Sequence, residues 1–174
     1  MIFKGLKEKS IKKAIGKSLL SENPSVNERD GVVRSLAIVI NYEKLVDYKP
    51  LLDVAKAINV SAEDVYVIGY VDKIYKNGSY LIPVFTDTSF GMKGKVKTDE
   101  VAEFLKRSYD IVINYYTEPN VYLELVSALS KSPLKVGIIS EGEAINNLVL
   151  KTDEKDFSQF SKELVKYLSI LKKI

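Results

Sequence analysis

The stretch IVINYEKLVDYKPLLDVAKAI (residues 38–58) leads into VYVIGYV (residues 65–71). The same five letters open a second passage, IVINYYTEPNVYLELVSAL (residues 111–129), which leads into LKVGIIS (residues 134–140). Each passage begins with a short apolar run rich in branched residues, as expected of a strand buried on both faces. Each continues with apolar residues at helical spacing: Leu51, Leu52, Val54, Ala55 and Ile58 in the first, Tyr122, Leu125, Val126 and Leu129 in the second. Each ends in another buried strand. The shared pentapeptide fits two related βαβ halves. Two unrelated buried strands are a fair competitor, since such strands draw on few residue types.

Working outward, the spacing predicts strands over residues 35–41, 65–71, 109–116 and 134–140, with a last short one over 147–152. Between them it predicts helices over residues 48–58, from Thr98 as a cap, and from Pro119 in a first turn. Asp153 is expected to cap a final helix whose stripe is Phe157, Phe160, Leu164, Leu168 and Leu171. Asn77-Gly78 is a two-residue turn signal that predicts a hairpin between residues 73–76 and 79–85, with Pro83 at a sheet edge or outside the ladder. At the start, residues 5–20 read as a helix with a short stripe of Ile11, Ala14, Ile15 and Leu19. Strands alternating with helices give an α/β fold, a mostly parallel sheet flanked by helices, Rossmann-like in plan. The organisation expected is a basic N-terminal helical arm (residues 1–20), a linker or loop (21–33) and a single α/β domain (34–174).

The composition narrows the chemistry. The chain of 174 residues has no His and no Cys. That removes imidazole bases, thiolate nucleophiles and nitrogen or sulfur ligands for zinc, and with them Ser-His-Asp and Cys-His hydrolases. These absences weigh against an enzyme. No cofactor is indicated, and no metal site. The charged opening MIFKGLKEKS does not suit a signal peptide and no apolar run approaches a membrane span, so a cytoplasmic location is expected. Charge is unevenly placed. Residues 1–20 hold Lys4, Lys7, Lys9, Lys12, Lys13 and Lys17 against Glu8 alone, a balance of +5, which leaves −2 for the rest of a chain of net charge +3. Such asymmetry points to an anionic partner.

Two further groups of residues are candidates. TDTSFGMKGKVKTDE (residues 86–100) joins Gly91 and Gly94 to Lys93, Lys95 and Lys97 ahead of a helix start, the ingredients of an anion site. It is no Walker loop, because the glycines are too close and Gly94-Lys95 is followed by Val96. In open α/β sheets ligands bind beyond the carboxyl ends of the strands. Asn41, Tyr42, Asp72, Asp87, Asn114, Tyr115 and Glu141 are the residues expected along that edge. Nothing in the spacing of the acids specifies a catalytic pair.

The basic N-terminal helix, the FGMKGK loop, YDIVINYY, the block LVSALSKSPLKVGIIS and the terminal helix together resemble a family of small bacterial proteins classed only as a domain of unknown function. ALSKSPLKVG (residues 128–137) is the most recognisable part. The resemblance implies an intracellular α/β protein and carries no activity or catalytic residues with it. From the residues themselves, the first expectation is a non-catalytic binding module whose lysines meet RNA or a ribonucleoprotein, with a membrane surface less favoured because the first helix divides its faces poorly. The alternative is a small-molecule or nucleotide site at the carboxyl ends of the strands, with enzymatic activity left open. Homo-oligomerisation is left open.

Overall fold

The structure is a computed structural model that describes residues 1–21, 31–138 and 145–174. Six strands form one sheet: β1 (Leu36–Asn41), β2 (Val65–Tyr70), β3 (Val84–Phe85), β4 (Ile111–Tyr115), β5 (Lys135–Gly137) and β6 (Leu148–Val149). Their order is β3-β2-β1-β4-β5-β6, and every pairing is parallel. The chain therefore works outward from β1 to one edge, returns to lay β4 against β1, and works outward to the other edge. Crossovers of one hand running in opposite directions must place their helices on opposite faces. They do so here. Helix α2 (Lys49–Ala57), between β1 and β2, packs beside α5 (Phe157–Ile170) through Leu51, Val54, Phe160 and Leu164. Helix α4 (Val121–Leu129), between β4 and β5, lies on the other face with α1 (Ile2–Ser21) and α3 (Asp99–Lys106).

Helix α1 is part of the body. Ile11 and Ile15 are buried in the α4 face, and burying an isoleucine side chain is worth about 1.5–3 kcal/mol. Ser18 Oγ donates to the Ala128 carbonyl at 3.3 Å, and Ser10 Oγ accepts from the Lys93 amide at 2.9 Å.

The two copies of IVINY lie side by side but out of step. Ile38 pairs with Ile113, and Val39 with Asn114, so Ile38–Tyr42 reaches two residues further toward the carboxyl edge than Ile111–Tyr115. A slip of two preserves which face each side chain takes. It changes depth. Val39 packs on the α4 face and Tyr115 on the α5 face, in keeping with that alternation.

Four local expectations shift. The turn at Asn77-Gly78 forms, with the Gly78 amide donating to the Tyr75 carbonyl at 2.9 Å, but no hairpin ladder follows. Instead Tyr80 folds back, its hydroxyl meeting the Tyr75 amide at 3.2 Å, and Val84–Phe85 adds to β2 in parallel just after Pro83. Pro119 precedes α4, because Asn120 Oδ1 takes the amides of both Tyr122 and Leu123 and so caps the helix. Asp153 forms a preceding turn with the Lys155 amide, and Asp156 caps α5 through the Gln159 amide. Thr98 stands at the N-cap of α3, yet its buried hydroxyl has no hydrogen bond.

Candidate functional site

The lysines of α1 divide into two groups. Lys4, Lys9, Lys12, Lys13 and Lys17 are exposed. Lys9, Lys13 and Lys17 follow at intervals of four, so they share one stripe, turned away from Ile11 and Ile15. Lys7 differs. It is half-buried, its ammonium donates to the Asp87 carbonyl, and it sits 5.4 Å from the centre of the Tyr122 ring. Lys7 is an anchor for the helix.

The glycine-lysine loop lies against this helix. The turn Met92–Gly94 packs on α1 around Ser10, and Lys93, Lys95 and Lys97 are exposed there. Its glycines serve packing. Gly94 has φ +75, and a Cβ there would stand 3.0 Å from Leu125 of α4. Alternate loop amides are engaged: Gly91 donates to the Lys95 carbonyl at 2.7 Å, Lys95 to Met92 at 3.2 Å, and Lys97 to Ser89 at 2.9 Å. With the Lys93 amide held by Ser10, the amides of Gly91, Lys93, Lys95 and Lys97 are all taken up within the chain. What the loop offers an anion is side-chain charge. The structure thus brings Lys93 beside α1, with Lys95 and Lys97 exposed further along the same loop.

A second feature stands where the sheet order reverses. Between the carboxyl ends of β1 and β4 lies a crevice of about 290 Å³, with Asn41 and Lys44 on one side, Tyr115 and Glu118 on the other, and Phe157 beside Glu154. Open doubly wound sheets bind ligands at this position. Most of its polar groups are occupied within the chain. Asn41 Oδ1 accepts from the Glu43 amide at 3.1 Å, Tyr115 donates to the Glu154 carbonyl at 2.7 Å, Thr117 donates to the Glu154 carboxylate at 2.7 Å, and Lys44 meets Glu118 at 3.4 Å. Burial, reinforced by Glu154, Asp153 and Asp156, raises the Tyr115 phenol above its ordinary range, so it remains a donor.

The other edge candidates do not converge on this crevice. Tyr42 packs at the rim against Tyr48 and Tyr80. Asp72 and Asp87 stand at the ends of β2 and β3, where the Thr86 hydroxyl lies 3.1 Å from both the Asp72 carbonyl and Asp87 Oδ1. Beside them, burial first and then Glu8 and Asp87 push the Tyr122 phenol up to about 12. Asn114 is 2% exposed. Its oxygen accepts from Ser127 at 2.7 Å and its amide donates to Asn146 Oδ1 at 2.7 Å, which ties β4 to α4 and to the approach to β6. Tyr116 extends this network to Ser127 at 3.1 Å, and burial raises its phenol too. Glu141 lies outside the described residues.

Sequence reasoning passed over Lys44, Glu43, Thr117, Glu118 and Glu154, because loop residues become neighbours only once strand order is known. Glu43 links two candidates: its amide meets Asn41 and its carboxylate accepts from the Asp72 amide at 2.9 Å. Among the described residues no group of three or more His, Cys, Asp or Glu is placed to hold a metal, and no helix is long and apolar enough to cross a membrane. No curated protein and no solved structure matches the chain. A family model does, over residues 7–171, from within α1 to just past α5; the chain belongs to this family of unknown function, DUF6913.

Proposed function

We propose that the chain is a binding module for RNA, met through the lysine face of α1 and the adjoining loop. The observation that carries this reading is the docking of α1. Lys9, Lys13 and Lys17 are exposed on one stripe of this helix, and the loop that carries Lys93, Lys95 and Lys97 meets the same helix through Lys93 and Ser10. Among the described residues none of these lysines forms an ion pair. A polyanion that neutralises them releases its condensed counterions, which gives affinity with little regard to sequence. Aromatic residues are not interleaved with the lysines, so base stacking contributes nothing here.

The test changes charge and keeps the helix, because removing α1 would strip Ile11 and Ile15 from the core. Binding of a single-stranded oligouridylate by the full chain and by Lys9→Gln/Lys13→Gln/Lys17→Gln is measured at several salt concentrations. The triple variant should flatten the log–log salt slope by roughly 2, at about 0.7 per phosphate. Equal slopes for the two proteins would retire the reading.

The crevice supports a second reading, a small polar ligand held at the switch point, because its position is the one the fold favours. A metabolite whose stabilising effect on thermal unfolding is lost in Asn41→Leu would support it. A screen in which no compound distinguishes the two proteins would dismiss it.

A further inference from the structure

The Asn77-Gly78 turn closes no hairpin, so the pair needs another account. Asn77 is exposed, and it is the only asparagine of the chain that glycine follows. That pairing has chemistry of its own. The main-chain nitrogen of the next residue can attack an asparagine side-chain amide, and glycine, with no side chain, hinders the attack least. The bond that forms joins the Gly78 nitrogen to Cγ of Asn77. The bond that breaks releases Nδ2 as ammonia, which carries off the proton given up by the Gly78 nitrogen. Water then opens the succinimide at either carbonyl and leaves aspartate or isoaspartate. Water is the one co-reactant.

The fold opposes this reaction in two ways. First, the Gly78 amide donates to the Tyr75 carbonyl at 2.9 Å, so the proton that must leave is held inside the turn. Neither Lys76 nor Asn77 has a positive φ, and a hydrogen-bonded turn without one is of type I. In its third residue the following nitrogen is rotated away from Cβ, out of reach of Cγ. Second, the Tyr80 ring lies against Gly78, where an added Cβ would stand 2.9 Å from it. The Tyr80 hydroxyl accepts from the Tyr75 amide at 3.2 Å and donates to the Lys73 carbonyl at 3.4 Å. The same ring packs edge-on against Tyr42, just past β1, with centres 6.2 Å apart. Tyr80 thereby fastens the turn to the rim of the sheet.

We propose that Asn77 is a site of spontaneous conversion to aspartate and isoaspartate, and that Tyr80 is the latch that slows it. Conversion proceeds from a locally opened loop, in which the Gly78 amide leaves Tyr75 and the ring leaves Tyr42. The product holds the loop open. Isoaspartate adds a methylene to the main chain inside the turn, and the Tyr75–Gly78 bond no longer spans it.

The experiment holds the full chain at pH 8, folded in buffer and unfolded in guanidinium chloride, with samples taken over days. Digestion and mass spectrometry follow the peptide that contains Asn77, by its gain of one mass unit and its division into aspartate and isoaspartate forms. The unfolded chain should convert about tenfold faster than the folded one, or more. Tyr80→Phe keeps the ring and loses both hydroxyl bonds. It should speed conversion of the folded chain about threefold and leave the urea midpoint nearly unchanged. Tyr80→Ala should bring the rate close to that of the unfolded chain. The phenylalanine variant carries the test should Tyr80→Ala fail to fold. Equal rates for folded and unfolded chains, or unchanged rates in the Tyr80 variants, would overturn the inference. So would faster conversion only in step with a falling urea midpoint, which would assign the reaction to global unfolding.

Discussion

Ile38–Tyr42 and Ile111–Tyr115 are identical in sequence, adjacent in the sheet and on matching faces, yet their last two residues have different roles. Asn114 is buried and bonded to Ser127 and Asn146, whereas Asn41 stands at the rim and holds a loop amide. Tyr115 is 2% exposed, wedged against Phe157 and Phe160, whereas Tyr42 shares the rim with Tyr48 and Tyr80. The two-residue stagger between β1 and β4 accounts for the difference. A residue's part in this fold is set by depth below the carboxyl edge, and depth is fixed by register, which no pentapeptide encodes. The repeat is one strand text used twice, once to lock the interior and once to reach the rim.

The comparison breaks most sharply at Asn114. Asn114→Ala takes the amide donor from the Asn146 oxygen and one of three partners from the Ser127 hydroxyl, which keeps the Leu123 carbonyl and Tyr116, and should cost about 1–3 kcal/mol in urea unfolding. Asn41→Ala should cost under about 1 kcal/mol, since water can replace its single loop contact. Gly137→Ala probes the same network from β5. A Cβ there would clash with the Asn146 amide, and the expected loss by urea unfolding is about 1–3 kcal/mol. Tyr115→Phe removes the bond to the Glu154 carbonyl and should cost about 1 kcal/mol. Tyr42→Phe, at the rim, should stay within about 0.5 kcal/mol in the same assay.

The smallest effect sharpens the pair through pH. Burial raises Tyr115 in the folded state above its unfolded value of about 10. Below that pH its contribution is fully present. As pH rises past it, the unfolded chain loses the proton first and stability falls. Urea midpoints at pH 9 and pH 11 should therefore drop less in Tyr115→Phe than in the unaltered protein.

Much of this was legible beforehand. Branched apolar runs gave every long strand, since β1 and β4 are buried on both faces, and helical spacing gave α1 with its Ile11 and Ile15 stripe. Residues that depend on distant partners were not legible. Pro119 looks like a helix start until Asn120 is seen taking two amides. Asn77-Gly78 looks like a hairpin until Pro83 and the returning Tyr80 are seen to leave no ladder for it. The lysines were visible as charge, but Lys7 as an anchor on Tyr122, and the approach of Lys93 to Ser10, belong to tertiary structure. Likewise Asn41 and Asn114 were indistinguishable as letters.

The central claim, that the Asn-Tyr end of one copy of IVINY locks the interior while that of the other reaches the rim, is tested most directly by a double-mutant cycle. Asn114→Ala, Ser127→Ala and the double variant are unfolded in urea alongside the unaltered chain. A buried, mutually dependent pair should show a coupling energy of about 1–3 kcal/mol. A cycle that closes to within about 0.3 kcal/mol would mean that Asn114 acts alone and that the two copies do not differ in the way the stagger requires.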